Sequence, residues 1–150
     1  MQTSFLTGII ISLLLIAFKE KTTVSNQGQG VPVEHVSNLD TSRWWLSRVH
    51  QDTATIDVIN KKAFIRFKEE KGSAGGNGSC NSFGSTMKRD GNNVSFTNIF
   101  STKMYCEGVQ PIENSFLDLL GKVTRYEISG TNLWLFAGDK KVLEFVRNKL

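Results

Sequence analysis

The chain has 150 residues, enough for one folded domain with a sizeable core, because 39% of them are hydrophobic and ten are phenylalanine. Charged residues make up 21%, which excludes a disordered or highly charged chain. The net charge is +4, but Lys and Arg are scattered along the chain, so we expect no nucleic-acid partner.

The first 18 residues carry no charge and contain an apolar run from Phe5 to Phe18. A run of about 14 residues suits the core of an export signal better than a membrane span, which needs about 20. No Lys or Arg precedes the run, so membrane association through residues 1–18 and an ordinary buried segment stay open as alternatives. Phe18 stands where a bacterial lipoprotein would carry its lipidated cysteine, so we do not expect a lipid anchor there.

A polar segment follows the apolar leader. Residues 19–40 are rich in polar side chains and contain Gly28, Gly30 and Pro32, a composition typical of a linker. The sequence therefore predicts three regions, with the leader at 1–18, the linker at 19–40 and one folded domain at 41–150.

Short runs with a period of two residues dominate the domain and predict β-strands. In one of them Ala63, Ile65 and Phe67 share one face, and Phe64 and Arg66 share the other. An Asp-Gly-Asn turn joins two further runs into a hairpin, and the last three runs form a meander. The predicted strands are 43–49, 63–67, 83–88, 94–96, 125–128, 133–136 and 142–146.

One segment has helical spacing instead. Between residues 110 and 122, apolar side chains recur every three or four residues, and Pro111 suits the first helical turn. Glu113 is placed favourably near the positive end of the helix. The predicted fold class is thus mainly β (α+β): a small antiparallel, barrel-like sheet of about seven or eight strands with one amphipathic helix, about 110–122, packed on it.

The chain contains only two cysteines, Cys80 and Cys106. They would form one disulfide, share one metal ion, or remain two thiols. Only His35 and His50 are available as further soft ligands, neither at metal-ligand spacing, so we expect no metal and no cofactor. A disulfide fits best if the chain is exported, and it would close a loop of about 27 residues.

Four glycines precede the first cysteine, at positions 72, 75, 76 and 78. A phosphate-binding loop would end in Gly-Lys-Ser/Thr and lead into a helix, and neither feature is present. We therefore interpret the segment as a turn or bulge that leads into the strand carrying Cys80.

These motifs resemble the META domain family, which includes the bacterial heat-shock protein HslJ. The similarity extends from Ser42 to Val146 and includes a first strand like Trp44-Trp45-Leu46. In one motif, Phe83 stands one residue closer to Cys80 than the family spacing has it. The matching residues are Gly75, Gly76, Asn77, Gly78, Cys80, Asn81, Phe83 and Gly84, then Thr102, Lys103, Met104 and Cys106, then Phe116 and Leu117. The resemblance implies a small barrel-like domain with one helix in the bacterial envelope and no established enzyme activity.

Trp44 and Trp45 are neighbours in a predicted strand, so they point to opposite faces. One is expected in the core, and the other is a candidate anchor for a partner unless the fold covers it. The acidic residues include no pair that the sequence places together for acid–base catalysis.

The leading functional hypothesis is a non-catalytic, exported domain of the bacterial periplasm or cell envelope, an interaction or stress-tolerance module that acts as a monomer on an envelope protein. The alternative is a carrier of a small apolar ligand in a barrel cavity lined by phenylalanine, such as Phe64, Phe67, Phe96, Phe136 and Phe145. A third hypothesis is a thiol enzyme that uses Cys80 or Cys106 with His50.

Overall fold

A computed structural model of the chain describes residue 39 and residues 42–59 and 62–147. The predicted leader therefore lies outside the described residues. Leu39, assigned to the linker from sequence, is buried at 1% exposure, and its carbonyl oxygen accepts a hydrogen bond of 3.2 Å from Trp44 Nε1. Within the described ranges, every helix is too short or too polar to span a membrane.

Strands make up most of the described chain, and one α-helix interrupts them after the sixth strand. A single 3₁₀ turn, Glu69–Lys71, lies between the third and fourth strands. The elements are β1 (Trp44–His50), β2 (Thr55–Asp57), β3 (Phe64–Lys68), β4 (Ser73–Asn77), β5 (Ser82–Asp90), β6 (Asn93–Ser101), α1 (Gln110–Leu120), β7 (Arg125–Ser129), β8 (Asn132–Ala137) and β9 (Lys140–Val146).

The strands form one antiparallel sheet in the order β2-β1-β3-β4-β5-β6-β7-β8-β9. A further pairing of β1 with β9, for example Leu46 opposite Phe145, brings the two ends of the sheet together. The sheet therefore closes into a barrel-like ring, which confirms the predicted fold class. Closure also leaves fewer free strand edges, which an open sheet would expose.

All seven strands predicted from period-two patterns are present. Six agree within two residues at each end, and β6 continues five residues past its predicted end, to Ser101. In β3, Ile65 and Phe67 are buried and Arg66 is exposed, as the alternation predicts. The structure adds two strands, β2 and β4, so the described sheet has nine strands rather than seven or eight.

The glycine-rich segment is where the sequence interpretation was wrong. Ser73–Asn77 is not a turn or bulge but strand β4, paired along its length with both β3 and β5. Cys80 lies in the connection after β4, not in a strand. At Gly76, a Cβ atom would come within 2.0 Å of the backbone oxygen of Phe64, so β3 and β4 approach each other too closely for any side chain there. Glycine is needed here for space rather than for flexibility.

We expect Gly76→Ala to destabilise the domain by about 3 kcal/mol, because the clash is with backbone and is relieved only by moving β4 away from β3. Urea denaturation followed by tryptophan fluorescence measures the loss.

Gly121→Ala is the matched control. Gly121 has helical angles, φ −68° and ψ −15°, and a Cβ there would meet its nearest neighbours at an ordinary 3.5 Å. This change is expected to stabilise the protein by about 0.5 kcal/mol, since alanine restricts the unfolded chain. Equal effects of the two substitutions would contradict the close approach of β3 and β4.

Helix α1 packs its apolar face into the core. Phe116 is fully buried, with ring centroids 5.3 Å from Phe83 of β5 and 6.0 Å from Phe145 of β9. Leu120 is also fully buried one turn later. Aromatic contacts of the helix thus reach both β5 and β9. Its apolar face is buried, as the residue spacing predicted. The helix ends at Leu120, two residues before the predicted end.

The shortest pairing in the described ring is the one between β6 and β7. In the described chain these two strands pair at one register only, Asn93 opposite Arg125. Further along β6, the residues from Thr97 to Phe100 oppose Thr86 to Gly84, so β6 holds one extra residue, and Asn98 there has φ +51°. Such a bulge bends a strand and increases its twist. The rest of β6 therefore separates from β7 and runs beside α1.

Candidate functional site

A disulfide joins Cys80 and Cys106, with their Cα atoms 5.9 Å apart. Cys80 precedes β5 and Cys106 follows β6, so the bond closes the open end of the β5–β6 hairpin. The carbonyl oxygen of Cys106 also accepts hydrogen bonds from the N–H groups of Val109 and Gln110, where α1 begins. The disulfide therefore ties the hairpin, the segment 102–106 and the start of the helix together. The sequence left three states open for the cysteines, and the structure shows the disulfide.

Asn81, next to Cys80, is almost fully buried and links the two cysteine motifs. Its side-chain oxygen accepts hydrogen bonds of 2.8 Å from Thr102 Oγ1 and from the N–H of Met104. Its side-chain nitrogen donates to the carbonyl oxygen of Met104 at 2.9 Å. The amide thus pairs with the backbone of Met104 in both directions, as a neighbouring strand would, and fixes the segment that leads to Cys106.

Glu113 lies on the helix beneath Asn81 and is 1% exposed. Its Oε2 atom accepts hydrogen bonds from the backbone N–H groups of Cys80, at 3.0 Å, and Asn81, at 2.7 Å. Its Oε1 atom accepts from Asn81 Nδ2 at 2.6 Å and from Gln110 Nε2 at 3.4 Å. We call Asn81 and Glu113 together the Asn81–Glu113 centre. The buried carboxylate is stable there because both of its oxygen atoms accept hydrogen bonds from N–H groups.

The turn before Cys80 is shaped to receive this carboxylate. A Cβ at Gly78 would lie 2.7 Å from Glu113 Cγ and Oε2, so glycine makes room for the acid. Asn77 Oδ1 accepts a hydrogen bond from the N–H of Ser79 at 2.9 Å, which closes the turn, and Ser79 has φ +110°. The glycine and asparagine of the Gly-Gly-Asn-Gly motif therefore have defined structural roles.

Burial acts on the carboxyl group of Glu113 in the direction that raises its pKa. The hydrogen bonds from Asn81, Cys80 and Gln110 stabilise the ionised form and outweigh burial, so its pKa is lowered from the ordinary value of 4.5. Glu113 is consequently ionised at neutral pH and is held by neutral donors rather than by a cation.

A groove of about 720 Å³ runs beside this centre, between the last part of β6 and α1. We call it the β6–α1 groove. One wall is β6 from Ile99 to Ser101 with the following residues 102–105, and the other is the helix face of Gln110, Asn114, Leu117 and Asp118. Asn81 and Glu113 also contribute to its lining.

Exposed apolar side chains concentrate at this groove. In the described chain, four large hydrophobic side chains are exposed, and three of them border it: Phe100 at 70%, Met104 at 61% and Tyr105 at 80%. The ring of Phe100 lies against Gly84, where a Cβ would be only 2.6 Å from it. Clustered apolar exposure of this kind is typical of interaction surfaces.

The sequence model of the META domain family matches residues 37–150. The chain belongs to the META domain family. The matched region begins before the domain boundary predicted at residue 41 and includes the buried Leu39. The two cysteine motifs of this META domain bind each other directly. The disulfide joins Cys80 to Cys106, and Thr102 Oγ1 donates a hydrogen bond to Asn81 Oδ1.

Solved structures share the fold of this META domain. A protein from Burkholderia xenovorans solved by NMR is 20% identical, with a TM-score of 0.61 over 75% of this chain and 85% of that one. A DUF4847 family protein from Bacteroides vulgatus is 17% identical, with a TM-score of 0.56 over 76% of this chain and 97% of that one. A search of curated proteins found no match.

The other residues of the family motif divide between core and surface. Phe83 and Phe116 are core residues in contact, and Leu117 is partly buried at the groove. Gly75, like Gly76, leaves no room for a Cβ, which would meet the backbone oxygen of Phe83 at 2.8 Å. Lys103 is exposed at the groove and has no ion-pair partner among the described residues.

The two neighbouring tryptophans point to opposite faces, as predicted. Trp44 is fully buried, with the Arg147 guanidinium 4.8 Å from its ring centroid. Trp45 is half-buried on the outer face, where its ring centroid lies 5.4 Å from that of Phe64 and Arg43 stacks on both rings. The structure thus leaves Trp45 as an outward aromatic and removes Trp44 from the candidate contact residues.

The hydrogen bonds of His50 are to residues other than the cysteines. Its ring lies between Thr55 Oγ1, at 2.9 Å, and Glu144 Oε1, at 2.7 Å, across β2, β1 and β9. Lys141 and Arg48 also approach Glu144, at 3.7 and 3.8 Å. Burial raises the pKa of Glu144, but His50, Lys141 and Arg48 outweigh it and lower the pKa from 4.5.

The lowered pKa values of Glu113 and Glu144 predict acid sensitivity. Both carboxylates are more acidic in the folded protein than in the unfolded chain, so unfolding takes up protons at low pH. Their contribution to stability is complete above the unfolded value of 4.5 and is lost as pH falls through the lower folded pKa. Urea denaturation between pH 7 and pH 3 is expected to show this loss, and Glu144→Gln is expected to flatten it. Identical profiles for Glu144→Gln and wild type would contradict this role.

No three His, Cys, Asp or Glu side chains in the described ranges come together in a way that would hold a metal ion.

The residue that sequence reasoning missed is Glu113, which was placed near the helix N-terminus only for its charge. The available signal was its position on the apolar stripe, three and seven residues before the buried Phe116 and Leu120. A charged residue on a buried helix face indicates a polar partner from another element.

Proposed function

We propose that this META domain is a non-catalytic binding module of the bacterial cell envelope that holds a partner in the β6–α1 groove. The observation that carries the proposal is the concentration of exposed Phe100, Met104 and Tyr105 at one groove whose wall is fixed by the disulfide and by Asn81. Because Asn81 holds the backbone of Met104, this wall loses little backbone entropy when a partner binds.

The disulfide supports the choice of compartment. Disulfides persist in oxidising environments such as the bacterial periplasm and are rare in the cytosol. It also counts against the thiol-enzyme hypothesis, because neither sulfur is a free nucleophile while they are bonded to each other. His50, the proposed base, is instead hydrogen-bonded to Thr55 and Glu144.

The phenylalanine residues do not favour a ligand carrier. Phe67, Phe96 and Phe145 belong to the packed core, where Phe67 and Phe96 have ring centroids 6.1 Å apart. Phe64 packs with Trp45 on the outer face, and Phe136 lies beneath the guanidinium of Arg125, at 3.7 Å. Core aromatics that pack on one another fill a barrel rather than line a cavity.

Cell fractionation and crosslinking test the proposal together. The protein is recovered from its bacterial host without reductant, and its fraction, mass and N-terminal residue are determined. A photoreactive amino acid is placed at Tyr105, at the groove, and in a second variant at Ile59, which is 85% exposed and lines a different groove with Trp45.

We expect an oxidised protein in the envelope fraction and a discrete crosslinked product from position 105 alone. A product from position 59 alone would move the binding surface to the Trp45 side. A reduced protein in the cytosolic fraction would refute the envelope role.

A further inference from the structure

We propose that the β6–α1 groove binds an extended peptide that adds to the open edge of β6 as a further strand, with an acidic residue of the peptide beside Lys103. This inference deepens the proposed function and rests on it only for the identity of the binding surface. The partner class is a peptide segment with apolar side chains at alternate positions and a carboxylate at one end.

The first support is the unpaired edge of β6. Among the described residues, the pairing of β6 with β7 ends near Val94, whose N–H donates to the carbonyl oxygen of Thr124. Thr102 directs its N–H to Ser82 of β5 at 3.0 Å, so the alternate residues Ile99 and Ser101 turn their backbone groups away from β5 and toward the groove. Those groups are free to pair with an incoming strand.

The second support is the shape of the groove. An open strand edge on one side and a helix on the other form the arrangement in which peptides bind by strand addition, with the backbone paired to the edge and alternate side chains held by the opposite wall. Here the helix supplies Leu117, and Phe100, Met104 and Tyr105 border the groove. Apolar peptide side chains therefore have apolar partners.

The third support is an unsatisfied acceptor. Gln110 directs its side-chain nitrogen to Glu113 Oε1 and Asn114 Oδ1, which fixes the orientation of its amide. Its Oε1 atom is buried and has no hydrogen-bond partner in the described chain. A buried acceptor without a donor is costly, so the Gln110 amide gains a hydrogen bond if a bound peptide displaces its side chain enough for Oε1 to meet a peptide N–H group.

Charge complementarity selects the end of the peptide. Lys103 is exposed at the groove without an ion-pair partner among the described residues, whereas Asp118 is already paired with Lys122 at 2.7 Å. The unpaired charge of the groove rim is thus positive, and an acidic peptide residue is the complement.

The test uses the oxidised, ¹⁵N-labelled full chain and a synthetic, amide-capped peptide of about seven residues that alternates valine and threonine and ends in glutamate. A second peptide carries N-methyl groups on alternate backbone nitrogens, which removes strand pairing and keeps the side chains. A third ends in lysine. Amide chemical shifts are followed to about 1 mM peptide, the weak limit of specific binding.

We expect saturable shifts at residues 99–105 and 110–118, and binding weaker by about tenfold for the N-methylated peptide, since it loses backbone hydrogen bonds. Lys103→Glu is expected to reverse the preference between the glutamate and lysine peptides. Tyr105→Ser is expected to weaken binding several-fold, while Ile59→Ser, at a similarly exposed apolar residue elsewhere, leaves it unchanged.

Four results would overturn the inference: no saturable shift with any peptide, shifts outside the groove, equal binding of the N-methylated peptide, or an unchanged charge preference in Lys103→Glu. A dimer that Tyr105→Ser dissociates would assign the groove to a second copy. If replacing residues 31–36 by glycine and serine changes the amide chemical shifts of the groove residues in the absence of peptide, the groove is the binding site of the chain's own N-terminal segment. Either of those two results also refutes a peptide partner.

The outcomes are separable from those of the proposed function. Peptide binding in vitro with a cytosolic, uncrosslinked protein in the host would refute the envelope role and leave the strand-addition site intact. Crosslinking from position 105 without binding of any peptide would leave the binding module intact and refute strand addition.

Discussion

Replacing Cys80 and Cys106 together by serine is expected to lower the free energy of unfolding by about 3.5 kcal/mol. The disulfide closes a loop of about 27 residues, and the chain-entropy relation assigns a crosslink of that size this restriction of the unfolded chain. A loss of this size is a large share of the stability of a domain of this length, about 5–15 kcal/mol. Guanidinium denaturation of the oxidised wild type and of the variant measures it.

Reductant provides the control for the disulfide. Dithiothreitol is expected to bring the wild-type denaturation curve close to that of the Cys80→Ser/Cys106→Ser variant and to leave the variant itself unchanged. The segment 102–106 is also expected to lose protection from hydrogen exchange, because the disulfide is one of its attachments to the β5–β6 hairpin. Equal stability of wild type and variant without reductant would contradict the structural role of the bond.

Glu113→Ala is expected to destabilise the domain by about 3 kcal/mol. The substitution leaves the N–H groups of Cys80 and Asn81 and the side-chain nitrogen of Asn81 without their carboxylate acceptor. Hydrogen bonds to charged groups contribute about 1.5–3 kcal/mol each, and entering water recovers part of that loss. Thermal and urea denaturation at pH 7 measure the effect.

Glu113→Gln separates hydrogen bonding from charge. The carbonyl oxygen of glutamine still accepts from the two backbone N–H groups, but its NH₂ group then faces Asn81 Nδ2, donor against donor, where Oε1 lies at 2.6 Å. We therefore expect a loss about half that of Glu113→Ala. Glu107→Ala, at an exposed carboxylate just before the helix, is expected to leave stability unchanged. Equal effects of Glu107→Ala and Glu113→Ala would contradict the buried centre.

Most of the fold was predictable because side-chain periodicity reports which face is buried. Alternation at Ile65, Arg66 and Phe67 identified β3 and its inward face, and spacings of three and four from Ile112 to Leu120 identified α1. Strand β4 could not be found this way. Its centre is Gly75-Gly76, which has no side chains to alternate, and glycine is depleted in strands.

Of the candidate site, the sequence predicted parts but not their assembly. The cysteine and asparagine motifs were recognisable, yet the bonds from Asn81 to Thr102 and Met104 cross more than 20 residues of chain and depend on the hairpin that brings them together. The bulge at Asn98, which opens the β6 edge, carries no distinctive pattern in the sequence.

The sequence by itself determined the barrel-like class, the single helix and the family, since these follow from local periodicity and from short motifs with fixed spacing. Only the tertiary structure decided that Gly75 and Gly76 lie in a strand, that the cysteines are bonded, and that Glu113 is a buried acceptor beneath Asn81. The physical reason is that close backbone contacts and hydrogen bonds form between elements that are far apart in the sequence. The local pattern of one segment therefore does not show which other segment it will contact.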